Sequence, residues 1–371
     1  MQLFHRTPDR GAHPAPSASS GLSLLASPAP RKEWLELLAA DPEALPFQHP
    51  RWTDVILSVS GGRDASRLYQ LPSGTRAVLP AVARPAHTAT RAALVSSQPY
   101  GWGTGGLVVP ERDLTPEDVR ALLADLAREK AFRVTLRPAP RRSAPYQAVA
   151  PRAAAQRRHA AYLLDLSGGF DRVWKERFSG AARQAVRKAE RTQLTVRQDM
   201  SGRLIPAFAT LYQLSVQRWA EQQHELLWLA RLRAQRQDPV RKFAAVAAAF
   251  PETCRVWLAS VSEQPAAAIL TLQLGEHVVY WRGAMDKELA GPSRANNLLH
   301  RLAIEQAIAD GARFYHFGYS SPGGGVARFK ESFGAIPVHH PVFRLERLPL
   351  TSAHKAARHI VKSALRVRFR D

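Results

Sequence analysis

A lysine placed just after three consecutive glycines is the first residue in this chain with a clear chemical use. Gly323-Gly324-Gly325 leads into Val326-Ala327-Arg328-Phe329-Lys330-Glu331-Ser332-Phe333-Gly334. Phe329 and Phe333 are four apart, so on a helix they share one face and read as core. Lys330 projects elsewhere and suits holding an anionic substrate. A second candidate is Ser293-Arg294-Ala295-Asn296-Asn297, where a loop turns into a helix. Free N–H groups at a helix N-terminus attract anions, and Arg294 adds a fork-shaped cation suited to phosphate. Ser293, Arg294, Asn296 and Asn297 are therefore candidate donor-binding residues, with Ser293 also a candidate helix cap. A free histidine titrates near neutrality, so His316 is a candidate base, with a packed, satisfied histidine as the alternative. Arg183, Arg187 and Arg191 recur every four residues and would line one helix face. That face is either solvated or a track for nucleic-acid phosphates. No Gly-x-Ser-x-Gly elbow, Walker loop or His-Glu-x-x-His helix is present. The one cysteine, Cys254, excludes an intramolecular disulfide and a Cys-based zinc site. It reads as a buried, inert thiol at the start of a strand.

These residues must be held by elements that the pattern of the chain predicts. Helices are expected over 32–40, from Pro50, and over 115–130, where Thr115-Pro116-Glu117-Asp118 is a strong helix start. Strands are expected over 66–71, 75–83 and 132–137. The glycine-rich stretch 99–106 reads as a structural turn. A connection rich in Pro, Arg and Ala spans 138–158, and the apolar stretch 161–166 follows it. Helices are then expected over 170–191, 204–222 and 226–250. Three strands follow over 255–260, 267–274 and 277–284, the last two joined by a hairpin turn at Gly275-Glu276. A loop over 285–293 leads to a helix over 294–310 that Gly311 closes. A strand over 313–318, the short helix at 326–333 and a strand over 341–346 complete the order. Strand, glycine-containing loop, helix, turn and strand occur in this sequence at 75–137 and again at 277–318, which points to two related α/β modules.

The motifs Phe47-Gln48-His49-Pro50-Arg51-Trp52, Leu164-Asp165-Leu166-Ser167-Gly168-Gly169-Phe170, Tyr280-Trp281-Arg282-Gly283-Ala284, Arg294-Ala295-Asn296-Asn297-Leu298-Leu299, Tyr315-His316-Phe317-Gly318 and Phe329-Lys330-x-x-Phe333-Gly334-Ala335 occur in that order. As a set, covering about 32–350, they resemble the FemAB-type, or BioF2-like, GNAT acyltransferases. The resemblance implies an α/β (α+β) fold of two tandem GNAT-like domains, each a mixed twisted sheet flanked by helices. It places the site in a groove on the second domain, with Tyr280, Arg282 and Phe329 as substrate contacts. Better-known Fem members move an amino acid from aminoacyl-tRNA to a peptidoglycan precursor, and their Phe-Lys pair corresponds to Phe329-Lys330. If that role carries over, Lys330 neutralises charge on the acyl carbonyl or leaving group, or holds a donor phosphate. Two departures stand out. His316-Phe317-Gly318 replaces the Asp-x-Gly of many relatives. The loop Gly291-Pro292-Ser293-Arg294-Ala295-Asn296 lacks the second glycine of a CoA pyrophosphate cradle.

The expected organisation is a disordered N-terminal arm over 1–31, domains over 32–158 and 159–350, and a basic helix over 351–371. The donor is acyl-CoA or aminoacyl-tRNA, the acceptor an amine that a cell-wall precursor would supply, and no metal is expected. The formal net charge of +21 fits tRNA, a phosphorylated substrate or an anionic membrane face, which the basic tail helix would touch. Only nine of the 52 basic residues are lysine, so the excess is mostly arginine and compositional bias is the competing cause. No apolar stretch is long enough to span a bilayer and no signal-peptide core is present, so a cytoplasmic place is expected. A non-catalytic basic module that binds nucleic acid or membrane is the rival reading.

Overall fold

The computed structural model describes residues 21–86, 89–110, 114–150 and 159–347. The expected basic helix over 351–371 and the arm residues 1–20 lie outside them. The rest of the arm is structured: strand β1 (Ser23–Ala26) precedes helix α1 (Arg31–Ala39). Helix α2 (Pro50–Ser60) opens with Pro50 in its first turn, and the His49 ring nitrogen accepts from the Arg51 N–H. Strands β2 (Arg63–Asp64), β3 (Arg67–Gln70), β4 (Arg76–Leu79), β5 (Val82–Ala86) and β6 (Ala89–Ser96) follow. The single strand expected over 75–83 is thus two, in different sheets, divided at Pro80. Helix α3 (Pro116–Ala127) has the expected reciprocal cap between Thr115 and Asp118. Strand β7 (Arg133–Leu136) lies parallel to β6, and α4 (Ser143–Val149) comes next.

The second sheet begins with β8 (His159–Asp165). The basic stretch is broken: α5 (Gly169–Arg172) runs into a π-turn over Val173–Arg177, and α6 (Gly180–Arg191) starts afresh with Ser179 as its cap. After β9 (Leu194–Asp199) come α7 (Ile205–Gln222), α8 (Leu227–Gln237) and α9 (Val240–Ala249). One helix was expected over 226–250. It divides at Asp238-Pro239, because proline has no N–H and disfavours helical geometry in the residue before it. Strands β10 (Cys254–Val261), β11 (Gln264–Leu274) and β12 (His277–Met285) form an antiparallel meander with the expected turn at Gly275-Glu276. Helices α10 (Lys287–Ser293) and α11 (Ala295–Ala309) cross over to β13 (Phe314–Ser320), parallel to β12. Helix α12 (Gly325–Ser332) and strand β14 (Ile336–His340) follow, and the sheet order is β14-β8-β13-β12-β11-β10-β9.

Strand β15 (Phe343–Glu346), expected in the second domain, instead returns to pair with β7 and completes the order β15-β7-β6-β5-β2. The internal echo is visible in the pairing. Each large sheet has one parallel strand pair, β6–β7 or β12–β13, joined by a helical crossover. The halves share a core, in which the ring of Trp52 on α2 lies 5.8 Å from Trp102 and 5.2 Å from Trp281 on β12.

The two parallel pairs are continued differently. Beyond β6, the glycine-rich loop folds back over the gap. Gln98 Nε2 donates to Phe47 O at 2.5 Å, and Gln48 Nε2 donates to Leu107 O at 3.2 Å. Gly103, at φ +101°, lets the Phe47 ring lie against it; a Cβ there would be 2.4 Å from Phe47 Cδ2. Gly103→Ala is expected to cost about 2–4 kcal/mol, from overpacking and left-handed strain together. Urea denaturation measures it, and a loss below 1 kcal/mol (roughly the scale of a tolerated swap) would show the loop to be slack.

Candidate active site

In the second sheet the parallel strands part. β12 and β13 pair only from His277 to Val279 and from Phe314 to His316. Each then carries an irregularity. On β12 the register against β11 shifts so that Trp281 is extra, and on β13 the register against β8 shifts across Phe317 and Gly318. Bulges of this kind bend a strand and re-aim its side chains. Gly318 takes φ +69°, which only glycine adopts without strain. Beyond Val279 and His316 the two strands no longer pair, and the unpaired stretch between β12 and β13 is the candidate opening.

Lys330 sits at the base of β13's outer end. It lies in the last turn of α12, not the first, and only 4% of its surface is exposed. Its Nζ donates to Gly318 O at 3.0 Å and Tyr319 O at 2.9 Å, carbonyls in and just after the bulge. An ammonium has three N–H groups; the third meets no acceptor among the described residues, and the Tyr162 ring centroid lies 5.4 Å from Nζ. Burial lowers its pKa to about 8. The neighbouring wall is aromatic. His300 on α11 lies 4.7 Å from the Tyr280 ring, 5.0 Å from Phe317 and 5.5 Å from Phe329. The His300 Nδ1 and Tyr315 hydroxyl are 3.1 Å apart. Burial, with Lys330 nearby, pushes the His300 pKa down to about 3, so its ring is neutral. Tyr280 is pushed up to about 12 by burial and stays a phenol. Lys330, Phe329 and Tyr280 are therefore brought together.

Several other expected site residues are not. His316 is buried, and its Nε2 lies 2.9 Å from His277 Nδ1. His277 Nε2 lies 3.0 Å from Pro42 O; a carbonyl only accepts, so this nitrogen donates. His277 Nδ1 then accepts the His316 proton, and His316 is locked in a relay between the halves. Burial first, then His277 and Arg141, hold its pKa well below the usual value. His316 is thus buried and engaged with His277, not presented beside Lys330. Arg282 points away from the opening and donates to Gly101 O at 2.6 Å and Asp238 Oδ1 at 2.9 Å. Arg183 is spent on the carbonyls of Trp174, Lys175 and Phe178, closing the π-turn. Arg187 stays exposed on α6 beside Lys188 and Arg191.

The expected loop over 285–293 is α10, capped by Asp286, and this changes the anion site. Ser293 does not cap α11, since its hydroxyl donates to Leu289 O at 2.6 Å. The Asn296 amide contacts Met285 Sδ at 2.7 Å. Arg294, exposed and left-handed at φ +58°, is the hinge between α10 and α11. Asn297 is half-buried in the first turn of α11. Arg294 and Asn297 remain within reach of a ligand; Ser293 and Asn296 are occupied.

The chain matches the family model described as an acetyltransferase (GNAT) domain over residues 176–331. It also superposes on a crystal structure of FemX with a TM-score of 0.60 at 13% identity, over 86% of this chain and 96% of that one. Residues 176–331 thus match a GNAT-type domain, and the chain as a whole shares the fold of FemX. A conserved protein of unknown function from Bacteroides thetaiotaomicron VPI-5482 shares the fold, with a TM-score of 0.53 and 10% identity over 87% of this chain and 99% of that one. No curated protein matches the sequence.

The GNAT domain thus contains the opening, Lys330 and His300. A cavity of about 320 Å³ in the first half, lined by Arg63, Arg67, Asp125 and Glu129, lies away from it. Its carboxylates are already paired with Arg67. The site residues that sequence reasoning missed are His300, Tyr315 and Gly318. For His300 the signal was present, since it follows Leu298 and Leu299 on an apolar helix face. Cys254 is buried, and burial pushes its thiol up to about 12, so it is inert. Among the described residues no helix is long and apolar enough to cross a membrane.

Proposed function

We propose that this chain transfers an acyl group from an ester or thioester to an amine in the opening between β12 and β13. The observation that carries this reading is the parting of these strands over a buried ammonium with one uncommitted N–H. The acceptor amine attacks the acyl carbonyl, the carbonyl oxygen becomes negative, and the C–O or C–S bond then breaks. Lys330 donates to that oxygen and is already positioned by two carbonyls, so it pays no reorganisation when charge develops. The acceptor's proton leaves to water. His300, with a pKa of about 3, is too weak a base to take it. No protein nucleophile is needed, because positioning and charge stabilisation suffice for amine attack on an activated ester.

For the donor we infer aminoacyl-tRNA. With Ser293 and Asn296 occupied and α10 in place of a glycine loop, little remains to cradle a CoA pyrophosphate. The exposed Arg187, Lys188 and Arg191 on α6, which packs on α11, supply cations for RNA phosphates instead. Arg294 would take part from the rim. The acceptor is an amine of the kind carried by a cell-wall precursor. A paired titration tests the donor, using acetyl-CoA and charged tRNA at low and physiological salt. Four phosphate contacts predict a log–log salt slope of about −3 to −4 for tRNA. Saturable binding of acetyl-CoA, with shallow and weak tRNA binding, would replace this donor with acyl-CoA.

A further inference from the structure

The hairpin of α7 and α8 leaves an unpartnered face. On α8, Ala230 and Ala234 are buried, whereas Trp228, Arg231, Leu232 and Arg236 are exposed at helical spacing. Trp228 is 63% exposed, and the flanking Leu226 and Val240 are 49% and 45% exposed. Isolated surface leucines are ordinary, but an exposed tryptophan and leucine one helical turn apart, with further exposed aliphatic residues just before and just after the helix, are not. The charge of the face has one sign. α8 contains three arginines and no carboxylate, and only Arg233 has an ion-pair partner among the described residues, Glu225. Apolar anchors flanked by arginine side chains with long apolar stems match a bilayer boundary, where tryptophan sits at headgroup level and arginine reaches anionic phosphates.

We propose that this face of α8 seats the protein on an anionic lipid surface. The position suits the site. α7, which leads into α8, is joined to the outer end of β12: Ser215 Oγ and Arg218 Nη1 both donate to Met285 O at 3.2 Å. The hairpin is therefore fixed to the strand that forms one wall of the opening. A nucleic acid would also meet the arginines. Trp228 could stack one base, but Leu226, Leu232 and Val240 offer it no further stacking surface, so the lipid fits the face better.

The test is vesicle co-sedimentation of the full chain, with phosphatidylglycerol–phosphatidylcholine vesicles and with phosphatidylcholine alone. Wild-type protein is expected to bind the anionic vesicles, and less so at high salt. Trp228→Ser with Leu232→Ser should lower partitioning about tenfold or more, since two apolar anchors are removed. Arg231→Gln with Arg236→Gln should weaken binding to anionic vesicles only. Both pairs of substitutions are on the surface, and an unchanged melting temperature confirms the fold. Undiminished sedimentation of the Trp228→Ser, Leu232→Ser protein would overturn the proposal. So would a wild type that ignores vesicles but loses tRNA binding on the same substitutions. The readout needs no turnover, so it stands or falls apart from the acyl-transfer reading.

Discussion

Lys330→Ala is expected to lower kcat by about 10²–10³-fold, the usual loss when one preorganised donor to a developing oxyanion is removed. The substitution also leaves Gly318 O and Tyr319 O without their ammonium, so a stability loss of about 1–3 kcal/mol should accompany it. The two effects separate when kcat is measured well below the melting temperature of the variant. The pH profile gives an independent check. Burial has lowered the lysine pKa to about 8, so the charged form is present below that pH and lost above it. If the ammonium is the working form, kcat falls as pH rises through about 8, and that limb is missing from the residual activity of Lys330→Ala. An activity that instead climbs through pH 8 with the lysine in place would make Lys330 a base and refute the oxyanion role. Wild-type turnover in Lys330→Ala would remove it from the mechanism altogether.

Asp238→Ala should destabilise the protein by about 3–5 kcal/mol, the cost of leaving buried charge uncompensated. The carboxylate holds two cations at once: Lys242 Nζ at 2.7 Å and Arg282 Nη2 at 2.9 Å. The Lys242 side chain has no exposure, and it lies 4.2 Å from the Trp102 ring centroid. Both cations also donate to Gly101 O, so the pair ties the glycine-rich loop of the first half to β12. Burial alone would raise the Asp238 pKa, but Arg282 and Lys242 outweigh it and hold the group below its ordinary value. A depressed carboxyl contributes stability above its unfolded pKa and loses it as pH falls through the folded one. The difference between wild type and Asp238→Ala should therefore shrink in acid. Denaturant titrations at neutral and acidic pH measure both. A neutral-pH loss below 1 kcal/mol, about the level of an exposed pair, would mean that water already reaches these charges.

Local chemistry set much of the fold in a legible way. The Thr115 cap, the Gly275-Glu276 turn, the buried strand start at Cys254 and the ordered motifs around Tyr280, Arg294 and Lys330 all act over a few residues. Breaks were less legible: proline at 239 and at 80 divided elements whose apolar pattern ran through. The short helix α10 had a visible signal, with Asp286 as cap and Glu288 in the first turn, but Gly291-Pro292 masked it.

What only the tertiary structure decided was which charged side chains are free to work. By type alone, Arg282, Arg183 and His316 are as suited to a substrate as Lys330. Arg282 is occupied because Asp238, 44 residues away, is folded against it. His316 is locked because His277 on β12, itself held by Pro42 O, takes its ring proton. Lys330 is left with a spare N–H because a strand bulge supplies two carbonyls and no carboxylate. Residue type and helical spacing determine what a side chain can do. Burial and the partners that distant segments bring determine what is left for it to do, because a hydrogen bond or charge already satisfied inside the fold is not available to a substrate.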